Sequence, residues 1–206
     1  MSDSALIQQM MDLQDQFNKN LSPTWKTDGY AYHRATWLEA AELIESLNWK
    51  WWKHQENDWD NVTVELVDIW HFVMSQALMM DMSSDTIAQS IGSHSADKHE
   101  NTLITLTEQL AKAALDHNIE LQIRTFFECW SAMGHSLETL FKLYVGKNAL
   151  NHFRQLKGYK QGTYIKIWNG EEDNVHMLNI MEHIDLSQNN TFSNVIEALT
   201  ARYPNN

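Results

Sequence analysis

Two short acidic pairs, Glu39-Ala40-Ala41-Glu42 and Glu65-Leu66-Val67-Asp68, carry the residue types and spacing that could do chemistry. An i, i+3 spacing places both carboxylates of a pair on one helix face, a single turn apart. Around the second pair, Leu66, Ile69, Val73 and Ala77 recur at helical spacing and mark a buried stripe. Its carboxylates therefore lie beside a core face. Charged side chains leave water only when paired, and little basic residue stands nearby to neutralise this pair. A divalent cation held by the four carboxylates supplies the missing counter-charge.

A second constellation is cationic. Lys142, Lys147, Arg154, Lys157, Lys160 and Lys166 fall in a stretch without Asp or Glu, in a chain whose formal net charge is -12. Tyr144, Tyr159, Tyr164, Asn148 and Asn151 add hydrogen-bond donors. The planar fork of Arg and the point charge of Lys suit clustered phosphate oxygens; the competing reading is a solubilising basic surface. No G-x-x-x-x-G-K-[ST] loop occurs, so a phosphate is not held as in P-loop enzymes. Four carboxylates and a carboxylate-free cationic segment together describe a site for a metal-polyphosphate. Mg²⁺ fits best, because it prefers oxygen ligands, keeps waters and is shared between carboxylates and substrate phosphates. A di-iron bundle would need two E-x-x-H motifs, and the sequence has none. His71, three residues after Asp68, reads as an aromatic wall or a hydrogen-bonded core histidine.

The elements that must position these groups are helices. Only 7 Gly and 2 Pro punctuate 206 residues rich in helix formers, which predicts an all-α chain, a helical bundle in a single domain over 1–206. A first helix is predicted over 3–20, with Leu6, Met10, Leu13 and Phe17 as its apolar stripe and Gln14 and Asn18 beside it, a pattern that by spacing alone is ordinary helix surface. A second is predicted over 32–53, ending in Asn48-Trp49-Lys50-Trp51-Trp52-Lys53. Three Trp within four residues cannot all face one core, so at least one lines a pocket or interface. Asn57-Asp58 starts a third helix, running to Met80-Asp81. Residues 82–117 are polar and weakly helical, with Ser83 or Ser84 as a cap and 96–100 as solvated loop or helix surface. A helix over 120–145 with a broad apolar face completes the bundle. Gly146, Gly158, Gly162 and Gly170 then mark a turn-rich basic C-terminal segment, in which 163–168 alternates as a short strand or extended arm. Closing helices are predicted over 173–181 and 192–202.

Composition removes several function classes. The acidic balance disfavours a general nucleic-acid binder. Cys129 is the lone cysteine, which excludes a disulfide framework and a cysteine-built zinc site and makes a reducing, cytoplasmic location the expectation. The N-terminus has no signal-peptide pattern, and no apolar run reaches the length of a membrane span.

The order E-x-x-E, Trp-Lys-Trp-Trp-Lys, E-x-x-D, then Lys147-Asn148-Ala-Leu-Asn151-His-Phe-Arg154, Gly158-Tyr159, Gly162-Thr-Tyr-Ile-Lys166 and Gly170-Glu-Glu-Asp-Asn174 resembles the dimeric dUTPases of the all-α NTP pyrophosphatase superfamily. The acidic pairs alone indicate the superfamily, whereas the C-terminal string is the specific part. The resemblance covers roughly residues 13–80 and 144–174. It implies that Glu39, Glu42, Glu65 and Asp68 bind the catalytic Mg²⁺. It further implies that Gln14, Asn18, Trp51, His71, Phe72 and Asn174 surround uracil and deoxyribose, and that Lys147, Asn151, Arg154, Tyr159 and Lys166 hold the phosphates. The implied activity is hydrolysis of dUTP, and of dUDP, to dUMP, with Glu42 or Glu39 taking the proton of the water, in an obligate homodimer. The alternatives are a related pyrophosphatase acting on another nucleotide, such as dCTP, and a non-catalytic nucleotide-binding helical protein. The latter need not keep all four carboxylates.

Overall fold

A computed structural model describes residues 1–91, 99–185 and 190–204. Residues 96–98 of the expected solvated segment lie outside the described residues. Nine helices and one two-stranded hairpin of two-residue strands make the described chain all-α. It divides into two compact units, Met1–Leu140 and Phe141–Asn206.

The first unit contains α1 (Asp3–Leu21), α2 (Tyr32–Glu45), α3 (Trp59–Met79), α4 (Ser84–Ala88), α5 (Glu100–Leu115) and α6 (Ile119–Ala132). Helix α3 is its axis: α1, α2 and α6 all pack on it, and α2 also packs on α5. The expected stripe is there, with Leu66, Ile69, Val73 and Ala77 fully buried and Trp70 stacked on Phe126 at 4.5 Å. Asp58 caps α3, its carboxylate accepting from the Asn61 amide at 3.0 Å, and Ser83 caps α4 by accepting from the Thr86 amide. Each satisfies a donor that the first turn leaves without a helical partner.

Two expected helices are corrected. Helix α2 stops at Glu45, because the chain folds back on itself: the Asp58 amide donates to the Ser46 carbonyl at 2.9 Å and the Asn48 amide to Asn57 Oδ1 at 2.6 Å. Trp49, Trp51 and Trp52 therefore sit on a loop. The single helix expected over 120–145 is two, since Gly134 takes a φ of 73° that a residue with a Cβ adopts only at a cost. Ser136 restarts the chain as α7 (Leu137–Leu156), its hydroxyl accepting from the Thr139 amide at 3.2 Å. Gly146 thus lies within α7, and the turn-rich segment begins after Leu156.

The second unit holds most of α7, a 3-10 turn at Tyr159–Gln161, β1 (Ile167–Trp168), β2 (Glu171–Glu172), α8 (Asp173–His183) and α9 (Thr191–Arg202). The expected arm over 163–168 is strand only at its end, where Ile167 pairs with Glu172 and Trp168 with Glu171 in antiparallel register. Leu150, Phe153, Trp168, Met177, Ile180 and Val195 form the core. Gly146 permits the approach of α8: a Cβ there would lie 2.5 Å from Met181 Cγ. Among the described residues no helix is long and apolar enough to cross a membrane.

Candidate functional site

Helices α2 and α3 bring the two acidic pairs together. One carboxylate oxygen from each of Glu39, Glu42 and Glu65 lies within 4.8 Å of the others. Glu65 is buried, Glu39 half-buried and Glu42 exposed, so the cluster reaches from the core face of α3 out to water. Asn61 Nδ2 donates to Glu65 Oε1 at 3.1 Å and fixes its direction. Asp68 stands outside this set of three, yet its charge reaches Glu39. Burial first, then the charges of Asp68 and Glu65 and a hydrogen bond with Glu65, push the Glu39 carboxyl up to about 8. At neutral pH a proton is therefore held where like charges crowd. Among the described residues no lysine or arginine pairs with Glu39 or Glu42. Clustered hard oxygen donors with one side open to water, already retaining a proton as a substitute counter-charge, fit a divalent ion such as Mg²⁺.

A neutral polar cluster lies in the same unit. Gln14 and Asn18, expected from spacing to be ordinary helix surface, are 3% and 2% exposed, because the face of α1 that carries them packs on α3. Gln14 Nε2 donates to Asn18 Oδ1 at 3.0 Å and to Ser75 Oγ at 3.1 Å, and Asn18 Nδ2 donates to the same hydroxyl at 3.0 Å. That hydroxyl donates in turn to the His71 carbonyl at 2.9 Å. His71 is buried, with Nδ1 2.8 Å from the Val67 carbonyl. A carbonyl only accepts, so Nδ1 carries a proton and donates it. Phe72 is half-buried, its ring 6.5 Å from that of Tyr32. Trp51 is 89% exposed, edge-on to Trp52 at 5.4 Å. Ser75 is a residue that the sequence reading missed; its signal is a hydroxyl one turn after His71, on the same helix face as His71 and Asp68.

In the second unit, Lys147, Asn151 and Arg154 follow at i, i+4 and i+7 on α7 and meet the start of α8. Arg154 makes a two-pronged ion pair with Asp173, Nε to Oδ2 at 2.8 Å and Nη2 to Oδ1 at 2.9 Å, and its Nη1 donates to Asn151 Oδ1 at 3.1 Å. Lys147 Nζ, on a residue only 1% exposed, donates to Asn174 Oδ1 at 2.8 Å. The guanidinium lies 5.8 Å from the centre of the exposed Tyr159 ring, and Lys166 pairs with Glu172 at 2.9 Å. The stretch without carboxylates in sequence thus acquires two in space. Burial disfavours ionised Asp173, but the hydrogen bond and charge of Arg154, the Tyr164 hydroxyl and the Lys147 charge outweigh it and hold the carboxyl below its ordinary range. Asp173 also escaped the sequence reading, because only the folded hairpin sets it against Arg154.

Set beside known protein families, the chain is matched over residues 6–159 by the model of a family described as dUTPase. The match takes in both acidic pairs, the Gln14 cluster and the polar face of α7, and ends before Lys166, Asp173 and Asn174. A comparison with curated proteins gave no match.

Proposed function

We propose, from the premise that this chain belongs to the all-α dUTPase family, that it is a Mg²⁺-dependent dUTP diphosphatase which also accepts dUDP. The carrying observation is the meeting of Glu39, Glu42 and Glu65 oxygens within 4.8 Å in a chain of that family. Glu39, Glu42, Glu65 and Asp68 would hold the metal. When bound, Mg²⁺ supplies Lewis-acid activation of water and offsets phosphate charge.

The remaining chemistry belongs to side chains. Glu42 or Glu39 takes the proton of the attacking water, whose oxygen forms a bond to phosphorus as the P–O bond between the α- and β-phosphates breaks. From dUTP the products are dUMP and pyrophosphate; from dUDP they are dUMP and phosphate. Lys147, Asn151, Arg154, Tyr159 and Lys166 take the phosphate oxygens, where cationic donors offset charge on the leaving group. Gln14, Asn18, Trp51, His71, Phe72 and Asn174 surround uracil and deoxyribose, and the Gln14–Asn18–Ser75 bonds hold two of those amides in fixed orientation.

On this reading both units serve one catalytic domain, and the working form is a cytoplasmic homodimer. Support for the dimer comes from Trp49, Trp51 and Trp52, which leave 40%, 89% and 56% of their surface to water, a large apolar exposure of the kind that interfaces cover. The experiment is a turnover screen of dUTP, dUDP, dCTP and dTTP with and without Mg²⁺. Metal-dependent release of pyrophosphate from dUTP in preference to dCTP and dTTP is expected; preference for dCTP transfers the chain to another pyrophosphatase specificity, and no turnover of any nucleotide removes the enzymatic reading.

A further inference from the structure

We propose that Asp173 is a positioning residue, which fixes the plane of the Arg154 guanidinium that receives a substrate phosphate. The proposal rests on the reading above that Arg154 is a phosphate ligand. Asp173 takes no part in the hydrolysis itself.

The geometry is that of a built clamp. Asp173 is fully buried, and both its oxygens are engaged by the same guanidinium, at 2.8 and 2.9 Å. A two-pronged carboxylate–arginine pair sets orientation as well as position, because two parallel bonds define the plane of the fork. Tyr164 donates to Oδ2 at 2.8 Å, which holds the carboxylate from a third direction, and Asn151 accepts from Nη1 at 3.1 Å.

The clamp is anchored on rigid backbone. Asp173 is the first residue of α8, where the positive end of the helix favours a carboxylate, and its amide donates to the Lys166 carbonyl at 3.0 Å. An arginine otherwise loses considerable rotamer freedom when it binds a phosphate, and a pre-set fork removes much of that cost.

The opposing idea is that Asp173 occupies Arg154 in place of a phosphate and must be displaced. A carboxylate buried at a helix start and tied by a tyrosine hydroxyl would break several bonds on leaving, which favours the clamp. The two ideas also differ in sign, since neutralising a competitor strengthens phosphate binding and neutralising a clamp weakens it.

The test is a double-mutant cycle on the full chain with Mg²⁺, measuring affinity for inorganic pyrophosphate and for deoxyuridine together with KM and kcat for dUTP. Asp173→Asn is expected to weaken pyrophosphate binding and raise KM for dUTP by about tenfold, the loss of one charge-assisted bond, with deoxyuridine affinity unchanged. In an Arg154→Ala background the same substitution should add no further loss. Tighter pyrophosphate binding by Asp173→Asn, an unchanged affinity, or a loss that persists without Arg154 would each overturn the proposal. So would a wild-type chain that binds no pyrophosphate. If Asp173→Asn does not fold, Tyr164→Phe carries the test, because it keeps the ion pair and removes one bond to Oδ2. About threefold weaker pyrophosphate binding, abolished in the Arg154→Ala background, is expected, and any other pattern overturns the clamp. A chain that shows the coupling with pyrophosphate but does not hydrolyse dUTP keeps the clamp and loses the dUTPase reading; turnover without coupling does the reverse.

Discussion

Replacing Glu39 with Gln should make the metal-free protein more stable at neutral pH while removing its activity. The folded chain holds the Glu39 carboxyl at about 8, against 4.5 for the free group, so between those values the folded state retains a proton that the unfolded state has released. Stability from this residue is fully present below pH 4.5 and is lost as pH rises toward 8. At about 1.4 kcal/mol per pH unit, the loss by pH 7 has a ceiling of about 3 kcal/mol. Water reaches part of this half-buried carboxyl and screens the crowding, which brings the expected effect to about 1–2 kcal/mol. For a chain of this size that is a fall in Tm of about 2–8 °C between pH 5 and pH 7. The assay is thermal melting in chelator from pH 5 to pH 8 for the wild type and for Glu39→Gln, the difference between the two curves cancelling the general repulsion of an acidic protein. Saturating Mg²⁺ should flatten the wild-type curve, because an ion that binds only the folded state replaces the proton. Identical pH slopes for the two proteins in chelator would refute the argument that Glu39 carries the strain.

The other carboxylates and the packing give further outcomes. Glu42→Gln and Asp68→Asn should lose nearly all turnover, while their metal-free melting holds or rises; destabilised variants that stay active would make these carboxylates structural. Gly146→Ala should lower stability by about 1–2 kcal/mol, since the new Cβ falls 2.5 Å from Met181 Cγ, and Met181→Ala should relieve it; an unchanged Tm would contradict the close approach of α7 and α8. Light scattering along a dilution series, read beside specific activity, should show a dimer whose dissociation removes activity; a 24.0 kDa species with full activity would contradict the homodimer.

What was legible in the sequence was whatever depends on local periodicity. The α3 stripe follows from i, i+3 and i, i+4 spacing and the all-α class from the scarcity of Gly and Pro among helix formers, and the structure agrees on both. The helix ends were less legible, because tertiary bonds decided them: Asp58 reaching back to Ser46 stops α2 where the local sequence would continue it. Gln14 and Asn18 read as surface because spacing reports which face a residue occupies and not what packs on that face. The cationic segment misled in the same way. Its lack of carboxylates is a property of the chain between Lys142 and Lys166, and the hairpin after it returns Glu172 and Asp173 to the cations.

The most direct measurement is the release of pyrophosphate from dUTP by the purified protein, with Mg²⁺ and with chelator, beside Glu65→Gln. Helix α3 buries Glu65 to 7% exposure in the acidic cluster, where a divalent cation would offset the charge that burial disfavours. Turnover to dUMP is expected with Mg²⁺, none with chelator, and none from a folded Glu65→Gln. Turnover that survives both the chelator and the substitution would contradict metal-dependent hydrolysis.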